Sequence, residues 1–310
     1  MNKVKTLRQF LVQYIEENDL AEPTILSYRN ALNGFEKYHG KEIRFAELEK
    51  TIDKETGRQQ GDLIINHWLS EYSKNVSPYT VKSRKAAILA ILADAFDLRV
   101  TRYRKMRIKS PRCHETPKDV WTPEELGRLV NECHKLKGRF QSTQLRKNYF
   151  AQSLLMAAWD TGLRRADLLR IRWDWIVDSH IFSIVCQKTG KNHVTRFSKP
   201  TRNTLLLTFD SWTGDYRELC WPVWFRPGRE ADRAVTDLFK VPLLRSGLKC
   251  SDGVFKKIRR SSATFTKLNG GNATDHLGHS SEAITRKHYL NATVIRQEQE
   301  ITLPPALNVG

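Results

Sequence analysis

Five short patterns between residues 150 and 290 carry side chains able to handle an anion. The first, Thr161-Gly162-Leu163-Arg164-Arg165-Ala166-Asp167-Leu168, ends one helix at Gly162 and opens another near Arg165. It places Arg164 at a bend beside a helix N-terminus, a position suited to anions. Asp167 is placed to hold that guanidinium or to cap the helix. Lys188 lies in the turn Gln187-Lys188-Thr189-Gly190-Lys191. Lys256-Lys257-Ile258-Arg259-Arg260 opens a helix with a basic cluster. His276-Leu277-Gly278-His279-Ser280-Ser281 and Thr285-Arg286-Lys287-His288-Tyr289-Leu290 complete the set. Taken singly, each has an ordinary reading: a surface arginine, a solvated turn lysine, a capping or core histidine, a packed tyrosine. The chain has no Walker loop, no Gly-x-Gly-x-x-Gly and no acidic cluster for two-metal phosphoryl transfer. Cys113-His114 and Cys133-His134 are adjacent pairs, without the spacing that turns two ligands toward one metal. The expectation is chemistry that needs no metal, ATP or other cofactor.

These residues need elements to position them. Trp121-Thr122-Pro123-Glu124-Glu125 reads as a capped helix start, and a second helix runs through Leu154, Leu155, Ala158 and Trp159. After Trp175 the period changes: Ile181, Ser183 and Val185 alternate with Phe182, Ile184 and Cys186, and His193 to Phe197 extends again beyond the turn, a β-hairpin signal. Cys220-Trp221-Pro222-Val223-Trp224-Phe225 reads as a buried strand. From Arg229 the chain reads as helical, and Thr302 to Gly310 as a tail or arm. Upstream, four helices are predicted. Leu7, Phe10, Leu11, Tyr14 and Ile15 mark the first; Ile25, Tyr28, Leu32, Phe35 and Tyr38 face inward on the second, with Gly40 at its end. Ile64, Ile65, Trp68, Leu69 and Tyr72 mark the third, and the fourth starts at Ser77-Pro78 and runs to about Phe96.

The 310 residues hold 52 Lys+Arg against 34 Asp+Glu, a net charge of +18, with 40% hydrophobic residues, enough for folded cores and the wrong balance for a disordered tail. The longest apolar run, Ala86 to Ala93, is far below the ~18 residues a membrane span requires. Charged residues interrupt the first twenty positions, which leaves no signal-peptide core. Five scattered cysteines suit reduced thiols in a cytoplasmic protein. The excess charge concentrates between residues 81 and 110, where Lys82, Arg84, Lys85, Arg99, Arg102, Arg104, Lys105, Arg107 and Lys109 face only Asp94 and Asp97. A phosphate backbone is the expected partner of this stretch, through Lys82, Arg84, Lys85, Arg102, Arg104, Lys105, Arg107 and Lys109.

Taken together and in order, the five patterns resemble the tyrosine recombinase (phage integrase) family. The likeness rests most on the Thr-Gly-Leu-Arg-x-x-Asp-Leu box and on Leu-Gly-His-Ser-Ser followed by Tyr289, and it spans roughly residues 115–295. Ser27-Tyr28-Arg29 and Thr80-Val81-Lys82-Ser83-Arg84 extend it more loosely upstream. It implies a mainly α fold with a small antiparallel β-sheet: a helical core-binding domain (1–105), a basic linker (106–115), a catalytic domain (116–295) and a C-terminal tail (296–310). The two domains would lie on opposite faces of duplex DNA with the linker crossing between them. It also implies site-specific recombination through a 3′-phosphotyrosyl intermediate, completed by a homotetramer on paired, sequence-defined sites and serving a mobile element. Residue by residue, Tyr289 is implied as nucleophile, Arg164 and Arg259 as guanidinium forks on the scissile phosphate, Lys188 as general acid, and His279 as hydrogen-bond donor to a phosphate oxygen. Lys256 stands where the family usually has histidine, and the interval from His279 to Tyr289 is one residue longer than its usual spacing. Two alternatives share the fold or the chemistry: a non-catalytic DNA-binding relative and a type IB topoisomerase.

Overall fold

The structure is a computed structural model, and it describes residues 4–105, 107–113, 118–140, 144–176, 181–209, 218–222, 235–292 and 294–295. The tail and arm expected over 296–310, and residues 114–117 where the expected linker meets the expected catalytic domain, lie outside the described residues. The chain divides into two compact units, Met1–Glu115 and Thr116–Gly310. Among the described residues no helix is long and apolar enough to cross a membrane.

The first unit is helical. α1 (Leu7–Glu17) starts in a capping box, Thr6 accepting from the Gln9 amide while the Gln9 side chain reaches back to Thr6. α2 (Glu22–His39) has Pro23 in its first turn and ends at Gly40, whose φ of 67° is the left-handed stop that glycine adopts without strain. α3 (Phe45–Glu49) leads to a small antiparallel hairpin, β1 (Thr51–Asp53) with β2 (Arg58–Gln59), then α4 (Gln60–Ser73) and α5 (Pro78–Asp97), capped by Ser77. Leu7, Phe10, Leu11, Leu32, Phe35, Trp68, Ile88 and Leu92 form one core. Four helices were expected and five are present. α3 is too short to show a helical period, and the hairpin strands too short and polar to show a two-residue one. Tyr38, expected inward, is exposed and bonds His67 Nδ1 at 2.7 Å.

The basic stretch differs more from expectation. Residues 107–110 of the expected linker, and residues 101–105 before them, pack on the first unit. Tyr103 is fully buried, and Gln59, Asp62 and Asn66 hold the backbone around it. Lys85, expected to grip DNA, spends its ammonium on Ile108 O (2.8 Å) and Ser110 Oγ (2.6 Å). Arg84 reaches Ser27 O, while Lys82 stays exposed.

The second unit is built around α7 (Lys147–Thr161), against which α6 (Pro123–His134), α9 (Lys199–Phe209) and α11 (Val254–Leu268) pack. Thr122 and Glu125 cap α6 reciprocally. β3 (Ile181–Val185) and β4 (Asn192–Arg196) pair antiparallel, from Ile181 opposite Arg196 to Val185 opposite Asn192, with Phe182 and Ile184 inward. One-turn α8 (Arg165–Leu168), α10 (Lys240–Ser246), one-turn α12 (Ala273–His276) and α13 (Glu282–His288) complete it. Trp121, Phe150, Leu154, Trp173, Phe197, Trp221 and Ile258 lie in its core. The strand expected from Cys220 is absent among the described residues. Leu219 makes a single bridge to Arg172, and Cys220 and Trp221 are buried as core packing, with the indole donating to Ser153 Oγ. Residues 223–225 lie outside the described set.

Candidate active site

The interior of the site is organised by Arg259. α11 is long enough to cross the unit, and its basic cluster divides by face. Lys257 is buried against the Trp121 ring and bonds Asp119 and Lys249 O, Arg260 pairs with Asp252 at 2.8 Å, and Lys256 points outward. Arg259, 4% exposed, faces inward. Its Nη1 donates to Gly162 O, 97 residues earlier, and its Nη2 to Leu277 O at 3.0 Å, so one guanidinium fastens the Thr-Gly-Leu-Arg box to the Leu-Gly-His box. A second tie runs parallel. Ser262 Oγ donates to Trp159 O and is bonded at 2.6 Å by His276 Nε2, which joins α7, α11 and α12.

Glycine is required at the two crossing points. Gly162, at φ 57° after α7, faces His276 Nε2 and Leu277 Cδ2, each 2.8 Å from where a Cβ would stand. Gly278, at φ 61°, lies as close to the imidazole of His193 on β4.

Arg164, Lys256, Arg259 and Tyr289 line one cavity of about 350 Å³, together with Arg165, Asp252 and others. Tyr289 ends α13. Its ring packs on His279, with centroids 4.6 Å apart, and Arg259 Cζ lies 5.1 Å from its centroid. Arg164 Nη1 and Arg259 Nε are buried with no hydrogen-bond partner among the described residues. Buried donors are seldom left unmade, because the desolvation cost is then uncompensated. Asp252, the carboxylate on the cavity lining, is committed to Lys256 (3.4 Å) and Arg260. The two inner guanidiniums therefore face each other's charge. Burial, with Arg164 adding to it, pushes Arg259 down to about 10. Such a site favours an anion with several acceptor oxygens.

Three of the expected residues behave differently from expectation. Asp167, 1% exposed, neither holds Arg164 nor caps a helix: its Oδ1 accepts the Gln187 amide at 2.7 Å, with Arg170 4.0 Å away. It thereby fixes the turn that carries Lys188. Helix α8 is a single turn, too short to present the helix-end field expected at Arg164. His279 bonds Arg259 Nη2 through Nε2 and Thr285 Oγ1 through Nδ1, both at 2.9 Å. A guanidinium only donates, so Nε2 is the acceptor and the proton sits on Nδ1. Burial, then Arg259 and Arg164, hold this imidazole at about 4, hence neutral at pH 7. His279 thus accepts within the protein where a donor to phosphate was expected.

Lys188 is exposed on the hairpin turn and is linked to the site through Gln187 and Asp167, outside the cavity lining. Lys256 sits at the cavity rim, its side chain 65% exposed. Sequence reasoning missed Thr285, which orients His279, and His193, which packs against Gly278 and whose Nε2 is buried without a hydrogen-bond partner among the described residues. No local pattern marks either one, because their roles depend on residues far along the chain.

A family model described as "Phage integrase family" matches residues 119–295. No curated protein matches the chain by sequence. Among solved structures, the chain is similar to a lambda integrase (75–356) dimer bound to a COC′ core site, with TM-score 0.66 and 15% identity over 97% of this chain and 100% of that one. It is similar to a lambda integrase tetramer bound to a Holliday junction, with TM-score 0.64 and 15% identity over 91% and 79% of the two chains. It also resembles the XerH site-specific recombinase bound to difH substrate in a pre-cleavage complex, with TM-score 0.60 and 14% identity over 93% and 82%. At these identities the likeness is one of fold: mainly helical, with small antiparallel sheets.

Proposed function

The chain belongs to the phage integrase family, and from that premise we propose that it is a site-specific DNA recombinase that cuts and rejoins duplex DNA through Tyr289. The observation that carries this reading is the pair of buried, unspent guanidinium donors, on Arg164 and Arg259, in the cavity that Tyr289 also lines. Attack on a phosphodiester builds negative charge on the nonbridging oxygens, and preorganised donors stabilise that charge more in the transition state than in the ground state.

The step balances as follows. Tyr289 Oη bonds to phosphorus as the bond to the 5′ oxygen breaks, leaving a 3′-phosphotyrosyl ester and a free 5′ hydroxyl. Lys188 delivers the proton to that departing oxygen. The phenol proton needs an acceptor with a lone pair. Lys256 is ion-paired with Asp252 and offers none, whereas His279 is neutral and in ring contact with Tyr289, and its Nε2 lone pair becomes available once the arriving phosphate takes over the Arg259 donor that it accepts from. Burial and then the guanidinium charges depress this imidazole, and the arriving phosphate offsets the charges. Once protonated, His279 can donate to a phosphate oxygen, the role implied by the family resemblance. The ester conserves the energy of the broken bond, so a second strand's 5′ hydroxyl reverses the step without ATP or metal.

Duplex DNA with a defined recombination site is the partner, and a homotetramer on two such sites is the working assembly. A nicked suicide substrate tests the reading. Wild type accumulates a covalent adduct resistant to denaturant, and Tyr289→Phe forms none. No adduct with wild type, or an undiminished adduct with Tyr289→Phe, refutes it and favours a DNA-binding relative without catalysis. Relaxation of supercoils lacking any defined site would instead indicate topoisomerase-like activity.

A further inference from the structure

We propose that residues 101–105 and 107–109 form a preorganised strap for the DNA backbone, and that Gly61, Asp62 and Asn66 of α4, with Gln59 just before it, are positioning residues that hold its cations on display. This deepens the DNA-binding part of the function proposed above and rests on it. The strap alternates in the manner of an extended chain over 101–104 and again over 107–109: Thr101 and Tyr103 are buried and Ile108 half-buried, while Arg102, Arg104, Arg107 and Lys109 are exposed, as is Lys105 where the alternation breaks. Outward side chains two residues apart are then spaced by roughly 6.6 Å.

Its backbone is bonded by side chains of the first unit instead of by another strand. Glu49 Oε1 accepts from the Arg102 amide (2.8 Å) and from Thr101 Oγ1 (2.6 Å). Gln59 donates to Arg102 O (3.2 Å) and accepts from the Arg104 amide (2.8 Å). Asp62, fully buried, accepts from Tyr103 Oη (2.8 Å) and from the Arg107 amide (3.0 Å). Asn66 donates to Arg107 O and accepts from the Lys109 amide, both at 2.8 Å. Lys85 closes the far end on Ile108 O and Ser110 Oγ. The Tyr103 ring lies so near Gly61 that an added Cβ would stand 2.3 Å from its Cε2.

Among the described residues the bonds to the strap's backbone come from the inner side, and Arg102, Arg104, Lys105, Arg107 and Lys109 stay exposed to meet phosphate. A loose connector of the same composition would have to be ordered on binding, and this one already is. The strap thus supplies affinity for the backbone without reading bases.

The test uses the full chain and a duplex it cannot cleave, with affinity measured across a salt series and trypsin sensitivity measured beside it. Gly61→Ala improves the helix former in α4 but evicts Tyr103, and Asn66→Ala, at a half-buried position, releases the strap if the first variant folds poorly. Either variant is expected to bind DNA about tenfold more weakly and to be cut by trypsin within 102–109, where wild type resists. Arg102→Ala combined with Arg104→Ala is expected to lower the slope of log K against log salt by about 1.8, at ~0.9 per phosphate contact. Unchanged affinity in both released variants, or an unchanged slope in the charge variant, overturns the proposal. A chain that passes these tests but forms no Tyr289 adduct refutes the recombinase reading and leaves the strap standing.

Discussion

Replacing Gly162 with alanine tests the reasoning about the site at its tightest point. Two costs are expected. The φ of 57° is left-handed, and a Cβ there costs ~1–2 kcal/mol. The new methyl would also stand 2.8 Å from both His276 Nε2 and Leu277 Cδ2, and overpacking of this kind costs ~1–3 kcal/mol. The total is about 2–5 kcal/mol, the sum of those backbone and packing costs. Gly247 supplies the control. It follows α10 at φ 69°, with nothing within 4 Å of its added Cβ, so Gly247→Ala carries only the backbone cost of ~1–2 kcal/mol. Urea unfolding followed by tryptophan fluorescence measures the difference between the two variants, which isolates the packing cost. Catalysis should separate them as well, because the Gly162 carbonyl is one of the two that aim Arg259. Displacing it should slow adduct formation on the suicide substrate by about tenfold to a hundredfold, with Gly247→Ala unaffected. Equal stability of the two variants within ~0.5 kcal/mol, the scatter of surface substitutions, would refute the close approach. Wild-type cleavage by Gly162→Ala would refute its role in holding Arg259.

Asp167→Ala leaves the Gln187 amide without its acceptor and is expected to slow adduct formation through a displaced Lys188. An Asp167→Asn variant, which keeps an acceptor, should recover part of the rate, and equal rates in the two would argue against this positioning role. Arg164→Ala is expected to bind duplex DNA within a few-fold of wild type while losing ~100–1,000-fold in cleavage, the scale for one donor to a developing oxyanion, as read from gel-shift and adduct assays run together. Lys256→Ala, at the exposed rim, is expected to leave the cleavage rate within a few-fold. Finally, burial and then Arg259 hold His276 and His279 at about 4, below the ~6.5 of an unfolded chain. Between these values the unfolded state binds protons that the folded state refuses. The unfolding midpoint should therefore fall as pH drops from about 6.5 toward 4 and lose little above 7.

Much of the site was legible because its signals are local. The end of α7 at Gly162, the hairpin that carries Lys188 and the long helix that carries Arg259 each follow from spacing within a dozen residues. The inward periodicity of Leu7, Phe10 and Leu11, or of Ile88 and Leu92, likewise holds in the folded core. What was misjudged lies where a side chain's partner is remote. Asp167 was expected to serve Arg164, three residues away, and serves Gln187 on the hairpin. The cations after residue 101 pointed to a basic linker, and nothing local shows that Asp62 and Asn66, some forty residues earlier, hold the backbone around Arg107 and Lys109.

The sequence by itself determined which groups are present, their order, and the helices, turns and charge excess that accompany them. Those properties depend on periodicity, capping and composition, which are short-range. Only the tertiary structure decided which of the clustered cations are spent and which are free. Lys257 and Arg260, themselves buried, are paired with Asp119 and Asp252, Lys85 ties down a strap, and Arg164 and Arg259 keep donors unmade among the described residues. The reason is physical: every one of these side chains carries the same charge in the sequence, and its function depends on whether folding delivers it an acceptor.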